Sequence, residues 1–413
     1  MQEIIDKFSD EAAFLWCQRA RAVRAPHFTL ADLTRLDERL EAHVDGLRVA
    51  EAGGWAGAPK DLACEGPDSL FAPALLALGS GAGDRFKAVL ENVEKTPTNA
   101  SGLISALAWL PFTQVQEPIR DLLAATAPWQ RHIGLRASAL HRRDPGRALD
   151  QALADSDPIL LARALRAVGE LGGCEGRHRA LLRDHFSAND EAVRFAAIWS
   201  AGLNGDPQAL EFLPDFVSPA SPGAEAALHL TLAQLPLAQA RTWQQQLAEK
   251  PATRRLAVMA VGLLGDPTLV PWLIDRMREP TLARIAGEAF ALLTGQELDH
   301  PPLLGHSPAD YCAGPSDDPR DHHVDPDADA DRPWPDPQAV ADWWNCHQQS
   351  FAVGIRHVLG LPLSAPALSR ALINGRQIQR AAAAVERTLL LPGTPLFPVM
   401  ASACRQIQEI DKL

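Results

Sequence analysis

Apolar and polar positions alternate along most of this chain with the period of a helix. The clearest stretch is 188–213, ANDEAVRFAAIWSAGLNGDPQALEFL, where Val193, Ala196, Ala197, Ser200 and Ala201 fall at i, i+3, i+4, i+7 and i+8. That spacing puts them on one buried helical face, and its small residues let neighbouring helices approach closely. A Gly-Asp-Pro turn follows, and then a second apolar segment. Residues 250–273, KPATRRLAVMAVGLLGDPTLVPWL, repeat the same order of parts. The pattern predicts a unit of two helices joined by a tight turn.

The turn positions test the repeat. The segments GELG, GLNG and GLLG end at Gly172, Gly205 and Gly265, and Gly295 continues the series, so the steps are 33, 60 and 30 residues. The member missing from the double step falls at Leu235, before Pro236. Further back, the turn falls near Arg143 before Asp144-Pro145, near Leu110 before Pro111, and in the 79–84 segment. Glycine suits such a turn because it enters the left-handed backbone region without a Cβ penalty. Aspartate then caps the next helix, and proline fits that helix's first turn. About eight units from 60 to 297 are enough for a continuous core. The predicted fold is all-α, an α-solenoid of HEAT-like two-helix repeats with helical N- and C-terminal caps. Trp109, Trp129, Trp199, Trp243 and Trp272 are expected to pack in that core.

Four regions follow. Residues 1–58 form an N-terminal helical cap, with one helix over 2–24 and a second from Thr29 whose stripe is Leu30, Leu33, Leu36, Leu40, Val44 and Leu47. Residues 59–297 are the repeat array. Residues 298–336 are an acidic Asp/Pro/His-rich loop or linker, disordered unless something pins it. Residues 337–413 are a C-terminal helical region that closes the last unit, with Asp336 capping a helix begun by Pro337 and further helices near 364–373 and 376–391.

Composition adds limits. With 46% hydrophobic and 22% charged residues the chain reads as folded and soluble. No apolar run reaches membrane-spanning length and the start lacks a signal-peptide pattern, so no membrane partner and a cytoplasmic location are expected. Six scattered cysteines without a C-x-x-C pair argue against a zinc ribbon or a disulfide framework. The formal charge is −12, but residues 299–337 hold ten aspartates against two arginines, leaving −4 for the other 374 residues. A chain with no basic surplus is a poor binder of phosphate backbones, so no nucleic acid is expected and a helical-repeat DNA glycosylase is disfavoured.

Candidate chemistry is sparse. Asp325, Asp327, Asp329 and Asp331 alternate as in a calcium loop, but Ala330 replaces the turn glycine and Asp336 the final glutamate. His322 and His323 with Asp321 and Cys312 form a poor zinc set, because adjacent histidines point apart. No G-x-S-x-G elbow, P-loop, G-x-G-x-x-G fingerprint, H-E-x-x-H or repeated His-Glu pair of di-iron HEAT hydroxylases occurs. The chain is expected not to be an enzyme, with no catalytic residue, no metal and no cofactor. The candidate partner-binding residues are Arg163, Arg166, Arg177, Arg179, Arg183 and Arg194, a basic patch for an acidic partner or for the chain's own aspartate-rich segment; a solvated helix face is the alternative.

Residues 33–50 (LTRLDERLEAHVDGLRVA), 292–298 (LLTGQEL) and 333–344 (PWPDPQAVADWW), with Gly375-Arg376-Gln377 before an alanine-rich helix, resemble a proteobacterial HEAT-repeat family associated with type VI secretion gene neighbourhoods. The family has no agreed catalytic residues, so none is carried over, and Arg39, Glu41, His43 and Asp45 in its signature are expected to be structural. The resemblance implies a protein-interaction scaffold, an adaptor or chaperone for a secreted effector or spike component, with an immunity protein that neutralises a cognate toxin as the alternative.

Overall fold

A computed structural model describes residues 2–50, 55, 66–173, 177–309, 311–315, 320 and 325–413. They form two compact units, Met1–Arg24 with Phe28–Ala201 and Gly393–Leu413, and Ala25–His27 with Gly202–Pro392. Each unit is all-α and built of HEAT-like two-helix repeats, as the periodicity predicts. Among the described residues, β-structure is limited to a hairpin pairing His357–Val358 with Leu361–Pro362 and a bridge between Leu304 and Pro335.

The turns explain the period. Gly172, Gly205, Gly265 and Gly295 all have φ between 66° and 72°. At the position expected near Arg143, Arg142 takes the left-handed conformation instead, with φ 54°. At Leu110 and Leu235 the helix stops in an extended residue before proline, with ψ 154° and 145°. Three different chemistries thus end equivalent helices. Asp266 then caps as expected, accepting from the Thr268 N–H at 3.0 Å and the Thr268 hydroxyl at 2.8 Å.

In the first unit, Gln2–Ala22 packs on Leu30–Val49, which opens with a capping box between Thr29 and Asp32. The first helices of successive repeats, Pro67–Ser80, Ala100–Trp109, Pro128–Leu140 and Pro158–Leu171, stack in order. Leu33, Leu40, Phe71, Leu75, Leu103 and Leu107 are wholly buried among them. Residues 393–413 also belong here. Leu396 N–H donates to the Glu170 carbonyl at 3.0 Å, and a helix not expected from the sequence, Ala403–Ile410, packs on Leu30–Val49. The C-terminal region therefore does not act as one cap: its last segment completes this unit.

In the second unit the first helices are Ala224–Gln234, Arg254–Leu264 and Pro280–Thr294, again stacked in order. Pro280–Thr294 is buried nearly all round, because Asp327, Asp329, Trp343 and the 357–360 segment also pack against it. Arg356 joins the ends of two first helices, donating to the Leu264 carbonyl at 2.9 Å, Leu263 at 3.0 Å and Ala233 at 3.4 Å. A guanidinium satisfies carbonyls that a helix end leaves without partners. The predicted helices at 337, 364 and 376 are Pro337–His347, Ala365–Asn374 and Gln377–Leu390, the first capped by Asp336.

The acidic segment is pinned where it is described. Arg255 grips both oxygens of Asp329 at 2.7 and 2.5 Å, Arg284 donates to Asp327 at 2.5 Å and to the Asp329 carbonyl at 2.8 Å, and Arg332 donates to Asp329 at 2.9 Å. The open loop expected at 298–336 is thus held over 325–336, by Arg255 and Arg284 from first helices of the second unit and by Arg332 within the segment. The bonds that hold Asp327 and Asp329 come from Arg255, Arg284 and Arg332, none of them in the patch proposed at 163–194.

Candidate interaction surfaces

The first unit carries a groove of about 1000 Å³. Its long wall is Leu30–Val49, which presents Thr34, Asp37, Glu38, Glu41 and Arg48 at three-, four- and seven-residue intervals, one helical face. The ends of two first helices supply an apolar floor of Leu75, Leu76, Leu110 and Pro111. The opposite wall is Ala403–Ile410, with Cys404, Ile407 and Gln408 facing in. Ile407 is 41% exposed, a large apolar side chain left open to solvent inside a concave surface.

Polar contacts fix these walls. Glu41 accepts from the Trp109 indole N–H at 2.6 Å and from Arg48 Nη1 at 2.5 Å. Trp109 meets the edge of Phe71 at 5.8 Å, and the Arg19 guanidinium lies 5.1 Å from its ring. Burial disfavours the Arg48 charge, but Glu41 and Asp45 outweigh it and raise the pKa. Arg405 donates to the carbonyls of Ala108 at 2.5 Å and of Leu110 and Leu140 at 3.4 Å. Burial, then the nearby Arg142 and Arg19, lower its pKa to about 10. Glu41, expected to be structural, is therefore both: it braces Trp109 and faces the groove. His43 meets Phe8 edge-on at 5.6 Å, in keeping with a packing role.

A second surface collects arginines. Glu170, nearly buried, accepts from Arg163 at 2.5 Å and lies 3.5 Å from Arg166. Burial raises its pKa, but Arg163 and Arg142 outweigh this and hold it below the usual carboxylate value. The Arg166 guanidinium carbon sits 3.3 Å from the centroid of the Trp199 ring, so Trp199 is a packing residue that also stacks a cation. Arg136, exposed on Pro128–Leu140, faces the same cluster, and among the described residues it has no hydrogen-bond or ion-pair partner.

Of the six arginines selected from the sequence, Arg163 and Arg166 meet in this cluster. Arg177 opens the helix Arg177–Asp184, and its side chain lies outside the described residues. Arg179 on that helix is exposed and Arg183 half-buried. Arg194 donates to the Ala188 carbonyl at 2.6 Å, at the start of its own helix. Arg136 and Arg142 were missed because nothing near them in sequence shows that Glu170 faces them.

The cation readings resolve where residues are described. The oxygens of Asp327 and Asp329 that mimic a calcium loop are engaged by guanidiniums. Burial raises the Asp329 pKa, but Arg255, Arg332 and Arg284 outweigh it and lower it. Asp321, His322 and His323 lie outside the described residues, and Cys312 is exposed. Glu297, Asp299 and His300 are close enough together to hold a cation, but Arg376 Nη2 already lies 3.3 Å from Glu297 and 2.7 Å from Asp299.

A family model of HEAT repeats matches residues 147–233. HEAT repeats commonly serve as protein-interaction scaffolds. Among curated proteins, none matches the chain. No helix among the described residues is long and apolar enough to cross a membrane.

Proposed function

We propose that this chain is a protein-interaction scaffold that holds its partner in the groove between Leu30–Val49 and Ala403–Ile410. The observation that carries this reading is the groove itself: about 1000 Å³ of concave surface with an apolar floor, an exposed Ile407 and a charged rim. An apolar centre with a polar rim is the anatomy of a protein interface. The residue stretch that carries the family resemblance supplies its long wall through Asp37, Glu38, Glu41 and Arg48. On that resemblance, the role is a cytoplasmic adaptor or chaperone for a secreted effector or spike component of type VI secretion. Binding alone accounts for such a role, so the reading is not enzymatic and involves no cofactor.

Co-expression with the proteins encoded by neighbouring genes tests it. One of them is expected to co-purify in a fixed stoichiometry, and Ile407→Glu is expected to abolish that complex while leaving the thermal melt unchanged. A complex indifferent to Ile407→Glu, or none at all, would refute the groove as the seat. If the captured protein is a toxin and co-expression rescues susceptible cells, the immunity role replaces the adaptor role.

A further inference from the structure

Among the described residues, Arg136, Arg163 and Arg166 of the first unit carry more positive charge than their shared carboxylate balances. Arg163 and Arg166 bond to Glu170, and Arg142 and Arg136 act on the same group. Guanidiniums gathered round one carboxylate repel one another and keep a demand for anionic oxygen. Burial and then the neighbouring charges bring the Arg166 pKa down to about 10, so it stays charged at neutral pH. Arg136 is exposed and Arg166 has a third of its side chain open to solvent, so both are reachable.

The second unit shows what satisfies such a cluster in this protein. There Arg255, Arg284 and Arg332 also rise from first helices or lie beside them, with Arg284 4.8 Å from the Trp334 ring. Their anionic partners are Asp327 and Asp329, two carboxylates separated by one alanine, with Glu288 also paired to Arg332. Arginine forks match carboxylates two bonds at a time, as Arg255 does on Asp329. The first unit has the same parts, arginines on first helices beside a tryptophan, and among the described residues Glu170 is the carboxylate at Arg136, Arg163 and Arg166.

We propose that Arg136, Arg163 and Arg166, with Trp199 beneath Arg166, form a docking surface for an Asp/Glu-rich segment of a partner protein. A short acidic segment fits better than a nucleic acid. The chain carries a formal charge of −12, and Glu170 stands in the middle of the cluster, so a continuous phosphate backbone meets repulsion where two or three carboxylates do not. This surface is separate from the groove and does not depend on it.

The probe is a fluorescent peptide carrying the 325–331 sequence, DPDADAD, titrated onto the full chain. The peptide is expected to bind, to weaken as salt is raised, and to lose about tenfold in affinity in Arg136→Glu, with partial recovery in Arg136→Lys. An all-asparagine version is expected not to bind. Arg39→Ala, an exposed arginine on Leu30–Val49, is the control and is expected to bind as wild type does. Arg136 is exposed and makes no ion pair among the described residues, so the variant's thermal melt reports whether the fold is intact. The proposal is overturned if Arg136→Glu binds as tightly as wild type, if Arg39→Ala weakens binding equally, or if a single-stranded oligonucleotide displaces the peptide at lower concentration than the unlabelled peptide does.

Discussion

Arg19 Nε donates to Asp37 Oδ1 at 2.6 Å, and this one buried pair joins three segments of the chain. The other guanidinium nitrogens reach the carbonyls of Met400 at 3.2 Å and Ala401 at 2.6 Å, while the second oxygen of Asp37 accepts from the Ala403 N–H at 2.7 Å. Removing one member leaves a buried charge without its partner. Asp37→Ala is expected to destabilise the protein by about 3 kcal/mol in urea unfolding and to speed proteolysis within 393–413. A loss below about 1 kcal/mol would mean that the pair is not what seats that segment.

Acid is expected to weaken the first unit before its carboxylates titrate. Burial, then Arg405, lower the His141 pKa to about 4, and burial with Arg163 and Arg136 does the same for His132. An unfolded chain takes up these protons near pH 6.5, whereas the folded one stays neutral until about pH 4, so it binds fewer protons throughout that window. Stability present above pH 6.5 is therefore lost as pH falls from 6.5 towards 4, on the order of 2 kcal/mol per histidine. Glu170, whose pKa is lowered, adds its loss only at more acid pH. Unfolding free energies at pH 7 and pH 4.5 check this: His141→Gln is expected to lose less than wild type between them, and parallel losses would rule the histidine out as the source.

Two turn glycines separate the cost of backbone strain from the cost of collision. Gly205 has φ 72° with open space where a Cβ would stand, whereas a Cβ on Gly265, at φ 66°, would lie 2.1 Å from the His357 carbonyl oxygen. Gly205→Ala is expected to cost about 1 kcal/mol, the left-handed penalty alone. Gly265→Ala adds displacement of the 356–363 segment and is expected to cost about 3 kcal/mol or more. Equal midpoint shifts in the two variants would show that the hairpin yields freely.

The parts legible in the sequence are those set by local chemistry. The glycines at 172, 205, 265 and 295 fix the turns within a few residues, and Asp336 with Pro337 marks a helix start. What escapes is contact between distant segments. The arginines that hold Asp329 and Asp327 lie 74 and 43 residues earlier, so an aspartate-rich run reads as a loop until they are placed. Helix Ala403–Ile410 hides because its inward positions include Gln406, wholly buried through bonds to the Val399 and Ala401 carbonyls rather than through apolar character. The groove was invisible for the same reason: its walls are neighbours in space and more than 350 residues apart in sequence.

Leu396, Ala401 and Ala403 reach back to residues made early in synthesis, across as many as 382 positions. A polypeptide extended only as far as Pro392 already holds Leu30–Val49 and every first helix of its unit, yet one wall of the groove does not exist. Translation order thereby makes the concave surface appear only after all the first helices of this unit. Any partner that needs both walls passes over chains that stop short of Ala403–Ile410.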